Sequence, residues 1–355
     1  MKAAVFHEPG KIIVEDIPDP AARVDEIVVQ VRAASICGTD LRIAKHGHFK
    51  IPPGTRRVLG HEVAGDVVEV GADVKGYAVG DRVTVTPNVG CGLCRWCRQG
   101  LNNMCADYEA FGISLDGGFA EYVRVPGFAL QRGNVFHVPD GVPYADAALT
   151  EPFSCCYRGQ QALQVGFEDT VLVIGAGPIG AFHVMLSALA GAKRIIAANA
   201  GTERLEIARK LGAHAVVDVT TADLADVVNS ETDGRGADVV IAAVSSAAVQ
   251  SQAVDLLATH GRLNFFAGLG AGGTAEVDTN RVHYKGLVLT GTTGSSNADY
   301  AASLALVGDG RVHLGKLVTA TFPIEHLDAA VKHAASGSGM KAMVVFGADE
   351  KGSQP

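Results

Sequence analysis

No apolar run in this chain approaches the ~20 residues that a bilayer-spanning helix needs. Stretches such as ADVVIAAV (237–244) have the length of a strand, so no membrane partner is expected. There is no basic stripe either. Thirty Lys and Arg stand against thirty-eight Asp and Glu, a net charge of −8, which argues against a nucleic-acid or anionic-membrane partner. The first residues, MKAAVFHEPGK, meet a charge and a Pro-Gly turn too early for a secretory signal. The expected compartment is therefore a reducing cytoplasm, where disulfides are rare. Internal repeats and low-complexity tracts are also lacking. What remains is 355 residues, 48% apolar and 19% charged, which suits two domains with well-buried cores.

Two textures divide the chain. Over 1–150, short alternating stretches such as EIVVQVRA and DRVTVTP are punctuated by Gly and Pro, a pattern of half-buried antiparallel strands. From about 168, strand and helix patterns alternate: DTVLVIGAG, then PIGAFHVMLSALAG, RIIAANA, ERLEIARKLGA, AVVDV, TADLADVVNSE and ADVVIAAV. A helix over 247–261 and strands RLNFFAG and LVLTGT complete the series. Alternating β and α with continuously apolar strands predicts a parallel sheet covered on both faces. The tail from about 291 holds two helical patterns and a last strand, KAMVVF, but no core of its own, so it is expected to pack on the first domain.

Gly175-Ala-Gly177-Pro178-Ile179-Gly180 lies where a strand ends and a helix begins. In a chain with 43 glycines, G-x-G-x-x-G alone is weak evidence. The surrounding βαβ context makes it a dinucleotide fingerprint: a tight turn, close backbone approach to a pyrophosphate, close helix packing, and a helix N-terminus aimed at phosphate. The position that ordinarily carries an acid for the ribose 2′-hydroxyl is Asn199, and the nearest cation is Arg204. NAD is therefore favoured over NADP, narrowly.

Three clusters suggest metal. Cys37-Gly-Thr39-Asp40, Gly60-His61-Glu62 and Glu151 in TEPFSCC offer thiolate, imidazole and carboxylate, all competent zinc ligands. Each alone reads equally well as core or surface. Cys91, Cys94, Cys97 and Cys105 pack into eighteen residues and could form a disulfide knot, a redox pair or a metal clamp. Four thiolates at short spacing suit a closed tetrahedral site with no position left for substrate, and the expected compartment disfavours disulfides.

Together these motifs resemble the zinc-containing medium-chain dehydrogenases, the family of alcohol, sorbitol and threonine dehydrogenases. The signature G-H-E-x2-G-x5-G-x2-V falls on Gly60, His61, Glu62, Gly65, Gly71 and Val74. The resemblance covers essentially the whole chain and implies an α/β protein. Its parts would be a GroES-like, strand-rich catalytic domain (1–150) with a structural zinc lobe (88–105), a Rossmann domain with a doubly wound parallel sheet (151–290), and a C-terminal segment (291–355) returning to the first domain. It implies two zinc ions per chain: a structural one on Cys91, Cys94, Cys97 and Cys105, and a catalytic one on Cys37 and His61 with Glu62 and Glu151 beside it, directly or through water. Cys155 and Cys156 are read as core.

The implied reaction is reversible oxidation of a secondary alcohol to a ketone, with zinc as Lewis acid and the nicotinamide as hydride acceptor. Thr39 takes the place of the family's proton-relay hydroxyl, and His46 could pass the proton to solvent. His46 and His48 read equally well as two surface histidines in a KHGH loop. A small polyol or sugar alcohol is the expected substrate, with L-threonine or a cyclitol as the rival. A non-catalytic protein of the same fold is the rival of another class, disfavoured by the complete ligand set. A homodimer or homotetramer is expected, with LVLTGTTG as the candidate edge strand.

Overall fold

A computed structural model describes residues 1–270 and 272–347. The last eight residues of the expected C-terminal segment, 348–355, lie outside the described residues. The chain forms two compact units. One comprises Met1–Ser154 with the described part of Gly294–Pro355, and the other Cys155–Thr293.

The first unit is built on a sheet whose order is Val135–His137, Arg82–Val85, Glu62–Val70, Ile27–Ser35, Lys341–Val345 and Val318–Pro323. The strand Tyr122–Val125 pairs with Ile27–Ser35 outside this path. All pairings are antiparallel except that between the last two strands of the chain. Ile27–Ser35 is buried over most of its length because neighbours cover it on every side. Apolar side chains of the C-terminal segment (Ile324, Leu327, Ala330, Ala342, Val344) share one core with Phe6, Ile27, Val63 and Phe119. The helix Asn297–Gly308 is fixed from inside by Tyr300, fully buried, whose hydroxyl lies 2.6 Å from Thr84 Oγ1.

The second unit is a six-stranded, all-parallel sheet: Ala215–Asp218, Arg194–Asn199, Thr170–Ile174, Ala237–Ala242, Leu257–Phe265 and Val288–Gly291. Numbered along the chain, that order is 3-2-1-4-5-6, the doubly wound arrangement in which the sheet changes direction between its first and fourth strands. Helices cover both faces, which is why Thr170–Ile174 is buried throughout rather than on alternate residues. Among the described residues no helix is long and apolar enough to cross a membrane.

Several elements differ from the sequence expectation: the helices Tyr144–Leu163 and Thr279–Lys285 and the tail strand Val318–Pro323 are additional, and one predicted helix is cut short. The helix expected over 247–261 stops at Asp255, and Leu257–Phe265 is all strand. Ala237 pairs with Leu257, then the register shifts before Val239 pairs with Arg262, and His260 takes a left-handed φ of 59°. The five residues LATHG carry helix-compatible side chains, but the bulge lets Leu257 and Leu263 both point into the core, and burial decides.

A buried histidine marks this unit. His183 is fully buried in the helix Pro178–Leu189, edge-on to Phe266, and burial pushes its pKa down to about 3. Above its ordinary 6.5 the folded and unfolded rings are both neutral, and the contribution to stability is complete. As pH falls from there, the unfolded chain takes up a proton that the folded state refuses, so stability is lost progressively. Between about pH 8 and pH 5, His183→Leu is therefore expected to lose less melting temperature than the wild type. Equal losses would exclude His183 as a source of acid sensitivity.

Candidate metal centre and dinucleotide site

Cys37 is the N-cap of the helix Gly38–His46, in extended conformation. Its N–H donates to Asp40 Oδ2 at 2.9 Å, so the third helical residue caps the helix that presents the thiol. The other oxygen of Asp40 lies 3.2 Å from His61 Nδ1, an ion-pair distance without aligned hydrogen-bond geometry. Asp40 thus couples Cys37 to His61 and leaves Nε2 of the imidazole for a metal, the carboxylate–histidine arrangement that orients metal-binding histidines. Gly60 precedes His61 with φ of 90°, and a Cβ there would lie 2.7 Å from the ring of Phe119. That position therefore admits only glycine. His61 immediately precedes the strand Glu62–Val70, which Glu62 opens, and the donor atoms of Cys37, His61 and Glu62 all lie within 4.8 Å of one another.

The chemistry of this set fits zinc. Thiolate, imidazole and carboxylate are the common zinc donors, and three protein ligands leave one position open. Glu62 Oε1 is buried without a hydrogen-bond partner, which is costly unless something binds it. Burial alone would lower the pKa of His61, but the Asp40 carboxylate and the Cys37 thiol beside it hold it well above its usual value. A ligating imidazole is neutral, so a metal ion must displace that proton.

The structure adds Lys341, a residue that the sequence motifs do not touch. It lies on the strand Lys341–Val345, 4% exposed, and its Nζ donates to Glu62 Oε2 at 2.6 Å and to Ile36 O at 2.8 Å. Burial works against its charge, yet Glu62 and Cys37 raise its pKa and keep it protonated. One oxygen of Glu62 is thereby engaged and the other left for the metal. The partners are 279 residues apart, and the lysine that opens KAMVVF gives no signal of this role.

Glu151 stands outside the three-donor set but within the field of it. It is buried in the helix Tyr144–Leu163, and its pKa is pushed up to about 7, chiefly by burial. His61 and Lys341 pull it down, while Glu62 and Asp40 push it further up. Thr39 Oγ1 accepts a bond from Arg42 Nη2 at 3.3 Å. His46 is not brought to it. Seven residues along the helix, roughly 10 Å at 1.5 Å per residue, it is exposed in the last turn. There it lines a cavity of 580 Å³ with Phe6, His7, Glu8, His48 and Phe49. His48 stacks on Phe49 at 4.5 Å and accepts from the N–H of Lys50.

The sulfur atoms of Cys91, Cys94, Cys97 and Cys105 also lie within 4.8 Å of one another, and none is in a disulfide. Backbone N–H groups point at them: Cys94 at Cys91 Sγ and Cys91 at Cys105 Sγ, each at 3.3 Å, and Cys97 at Cys94 Sγ at 3.5 Å. Bonds from Leu93 and Cys94 lower the thiol of Cys91 to about 6, whereas burial pushes that of Cys97 up to about 12. Four such thiols at one point suit a cation that would hold all of them as thiolates. Four sulfur donors would fill a tetrahedral site and leave no position for a substrate, as a structural site requires.

In the second unit the glycine loop leaves the strand Thr170–Ile174 at the point where the sheet changes direction. Gly175 has φ of 99°, and a Cβ on Gly180 would fall 1.8 Å from Gly175 O, so the first turn of the helix presses directly on the loop. Gly177 is the N-cap and Pro178 begins the helix, leaving the N–H groups of Ile179 and Gly180 for an anion. Asn199 ends the strand Arg194–Asn199; its Oδ1 accepts from the N–H of Ala176 at 3.1 Å and its Nδ2 donates to Ala200 O at 2.8 Å. Both ends of the amide are thus bonded to neighbouring backbone. Arg204 Nη1 lies 3.5 Å from where a Cβ of Gly177 would be, so a guanidinium stands over the phosphate-binding turn. The sequence placed Arg204 a turn into the helix; only the fold brings it to Gly177.

Comparison with known proteins agrees with this geometry. Residues 23–140 match the model of the alcohol dehydrogenase GroES-like domain, and residues 178–309 that of the zinc-binding dehydrogenase domain. A D-arabitol-phosphate dehydrogenase from Enterococcus avium is 32% identical over 99% of each chain. An L-threonine 3-dehydrogenase from Pseudoalteromonas atlantica is 32% identical over 94% of this chain and 96% of the relative. A sorbitol dehydrogenase from Halalkalibacterium halodurans is 31% identical over 97% and 99%. Among solved structures, a zinc-binding dehydrogenase from Sinorhizobium meliloti bound to NADP superposes with a TM-score of 0.90 at 30% identity, over 97% of this chain and 99% of the other.

Proposed function

The chain belongs to the zinc-containing medium-chain dehydrogenase family, and from that premise we propose that it oxidises a secondary hydroxyl of a polyol or sugar alcohol to the ketone, reversibly, with NAD or NADP. Cys37, His61 and Glu62 would hold the catalytic zinc, and Cys91, Cys94, Cys97 and Cys105 the structural one. When bound, the catalytic zinc supplies Lewis acidity towards the substrate hydroxyl.

The observation that carries the polyol reading is the pair of buried carboxylates, Glu62 and Glu151, at one centre. Lys341 fixes the first. The second, its pKa pushed up to about 7, can hold or release a proton near neutrality and can bond a hydroxyl adjacent to the reacting one. A substrate with neighbouring hydroxyls satisfies such a site, whereas a simple alcohol leaves the acid unpaired. Thr39 is the outlet for the substrate proton: with Arg42 donating to its oxygen, its own proton is free to turn towards an acceptor. L-threonine is the second reading, favoured by the threonine dehydrogenase among the relatives.

For the cofactor, the uncharged Asn199 stands where an acid would repel a 2′-phosphate, with the carboxylates of Glu203 and Asp218 along the same loop. Arg204→Ala is expected to lower kcat/KM for NADP about tenfold or more, and that for NAD much less. An equal fall for both would assign Arg204 to the pyrophosphate instead. The strand Val288–Gly291 is one of the two edge strands of its sheet, with Val288 exposed, and we assign it to pairing with a second copy of the chain.

The test is a panel of zinc-loaded assays on four- to six-carbon polyols, their phosphates, inositols, L-threonine and simple secondary alcohols, each with NAD and NADP. Turnover of polyols above the rest is the expected result. Turnover of threonine alone would move the protein to the second reading, and preference for simple alcohols would remove Glu151 from the substrate site.

A further inference from the structure

We propose that Ser295 and Asn297 are positioning residues for Glu151, tying the helix that carries it to the four-cysteine lobe; this rests on the reading of Glu151 as part of the catalytic centre. The tie starts at Asn102, which lies between Cys97 and Cys105. Asn102 and Asn297 are 195 residues apart and exchange two hydrogen bonds. Nδ2 of Asn102 donates to Oδ1 of Asn297 at 3.0 Å, and the backbone N–H of Asn297 donates to Oδ1 of Asn102 at 2.9 Å. Both side chains are held further, Asn102 by Asn88 O at 2.9 Å and Asn297 by the carbonyls of Arg132 and Gly133 at 2.8 and 3.1 Å. The lobe and the start of the helix Asn297–Gly308 are thereby locked in one arrangement.

Two residues earlier the same segment reaches the catalytic helix. Ser295 and Ser154 are buried, with their Oγ atoms 2.7 Å apart, and Ser154 Oγ lies 2.6 Å from the carbonyl of Glu151. A hydroxyl has one proton and a carbonyl only accepts. Ser154 therefore donates to Glu151, and Ser295 donates to Ser154. The turn needs such a hold. Pro152 sits inside this helix, and a proline removes one backbone N–H bond and pushes against the preceding turn. A continuous line of bonds thus runs from the lobe through 295–297 to the backbone of Glu151, and one deletion breaks it at a buried point.

Ser295→Ala and Asn297→Ala, each alone and combined with Glu151→Gln, test the tie in the intact, metal-loaded protein. Amide hydrogen exchange over residues 151–156 is expected to quicken in both single variants and to stay at the wild-type rate in Ser295→Thr, which keeps the hydroxyl. On the best alcohol substrate, kcat/KM is expected to fall about tenfold in each single variant and to fall no further when either is added to Glu151→Gln. Unchanged exchange in Ser295→Ala would overturn the proposal, and so would effects that multiply fully with Glu151→Gln. If the wild type turns over no alcohol, the functional reading fails, and the exchange rates still decide whether the tie holds the helix. Metal content, expected at two per chain in every variant, separates loosening of the tie from collapse of the lobe.

Discussion

Lys341→Met is expected to lower folding stability by about 3–5 kcal/mol, because it strands a buried carboxylate. Glu62 is fully buried, and Lys341 is 4% exposed. Their contact is 2.6 Å, and the same ammonium also bonds Ile36 O. Removing the cation leaves Glu62 Oε2 without a partner beside Oε1, which already lacks one. The remedy is to remove the second charge too: Lys341→Met with Glu62→Gln is expected to regain most of the loss, since a neutral buried pair avoids the cost of the uncompensated ion. Denaturant midpoints of the metal-free proteins, with slopes compared, give both numbers. A loss below about 1 kcal/mol in the single variant would mean that the contact contributes no more than a neutral hydrogen bond and is not a buried ion pair. Because Glu62 also belongs to the metal set, the double variant is expected to fold and yet bind one metal ion fewer.

Cys37→Ser is expected to lower kcat/KM by about a thousandfold or more while leaving the fold intact. The loss follows from weakening the site that supplies several kcal/mol of Lewis-acid stabilisation, at roughly 1.4 kcal/mol per tenfold. The fold survives for a local reason. The bond to Asp40 is made by the backbone N–H of residue 37, which serine keeps, and serine is among the preferred N-cap residues. Cys37 is also only half-buried, so little packing is lost. Metal analysis is expected to fall from two ions per chain to one, the remaining ion held by the lobe. If activity stays within tenfold, or if the count stays at two, Cys37 is not a ligand. Cys97→Ser is the matched control: it strikes the lobe, and its expected effect is on stability first.

The two readings of residue 46 show where spacing along a chain misleads. Thr39 and His46 share one helix and one motif-rich stretch, and a hydroxyl followed by an imidazole suggests a relay. A helix, however, carries a residue seven positions on about 10 Å away along its axis. Arg42, three positions on, is what Thr39 meets. The strand Leu257–Phe265 teaches the converse. Its residues suit a helix locally, and only pairing with Ala237–Ala242 makes them a strand.

The sequence by itself determined the features that close within a short span of chain and need no partner from elsewhere. The alternation of β and α patterns, the glycine turn at 175–180 and the four cysteines of 88–105 are each closed within a few turns of chain, and their spacing fixes their geometry. The nomination of Cys37, His61 and Glu62 was legible too, because each lies in a compact motif. Their assembly was not. It depends on Asp40 reaching His61, on Lys341 reaching Glu62 from the other end of the chain, and on Asn297 reaching Asn102. These contacts are made by single, chemically ordinary residues brought together by sheet pairing and core packing. A lysine or an asparagine read one at a time carries no trace of the partner across the fold, and only burial turns it from a solvated side chain into part of a site.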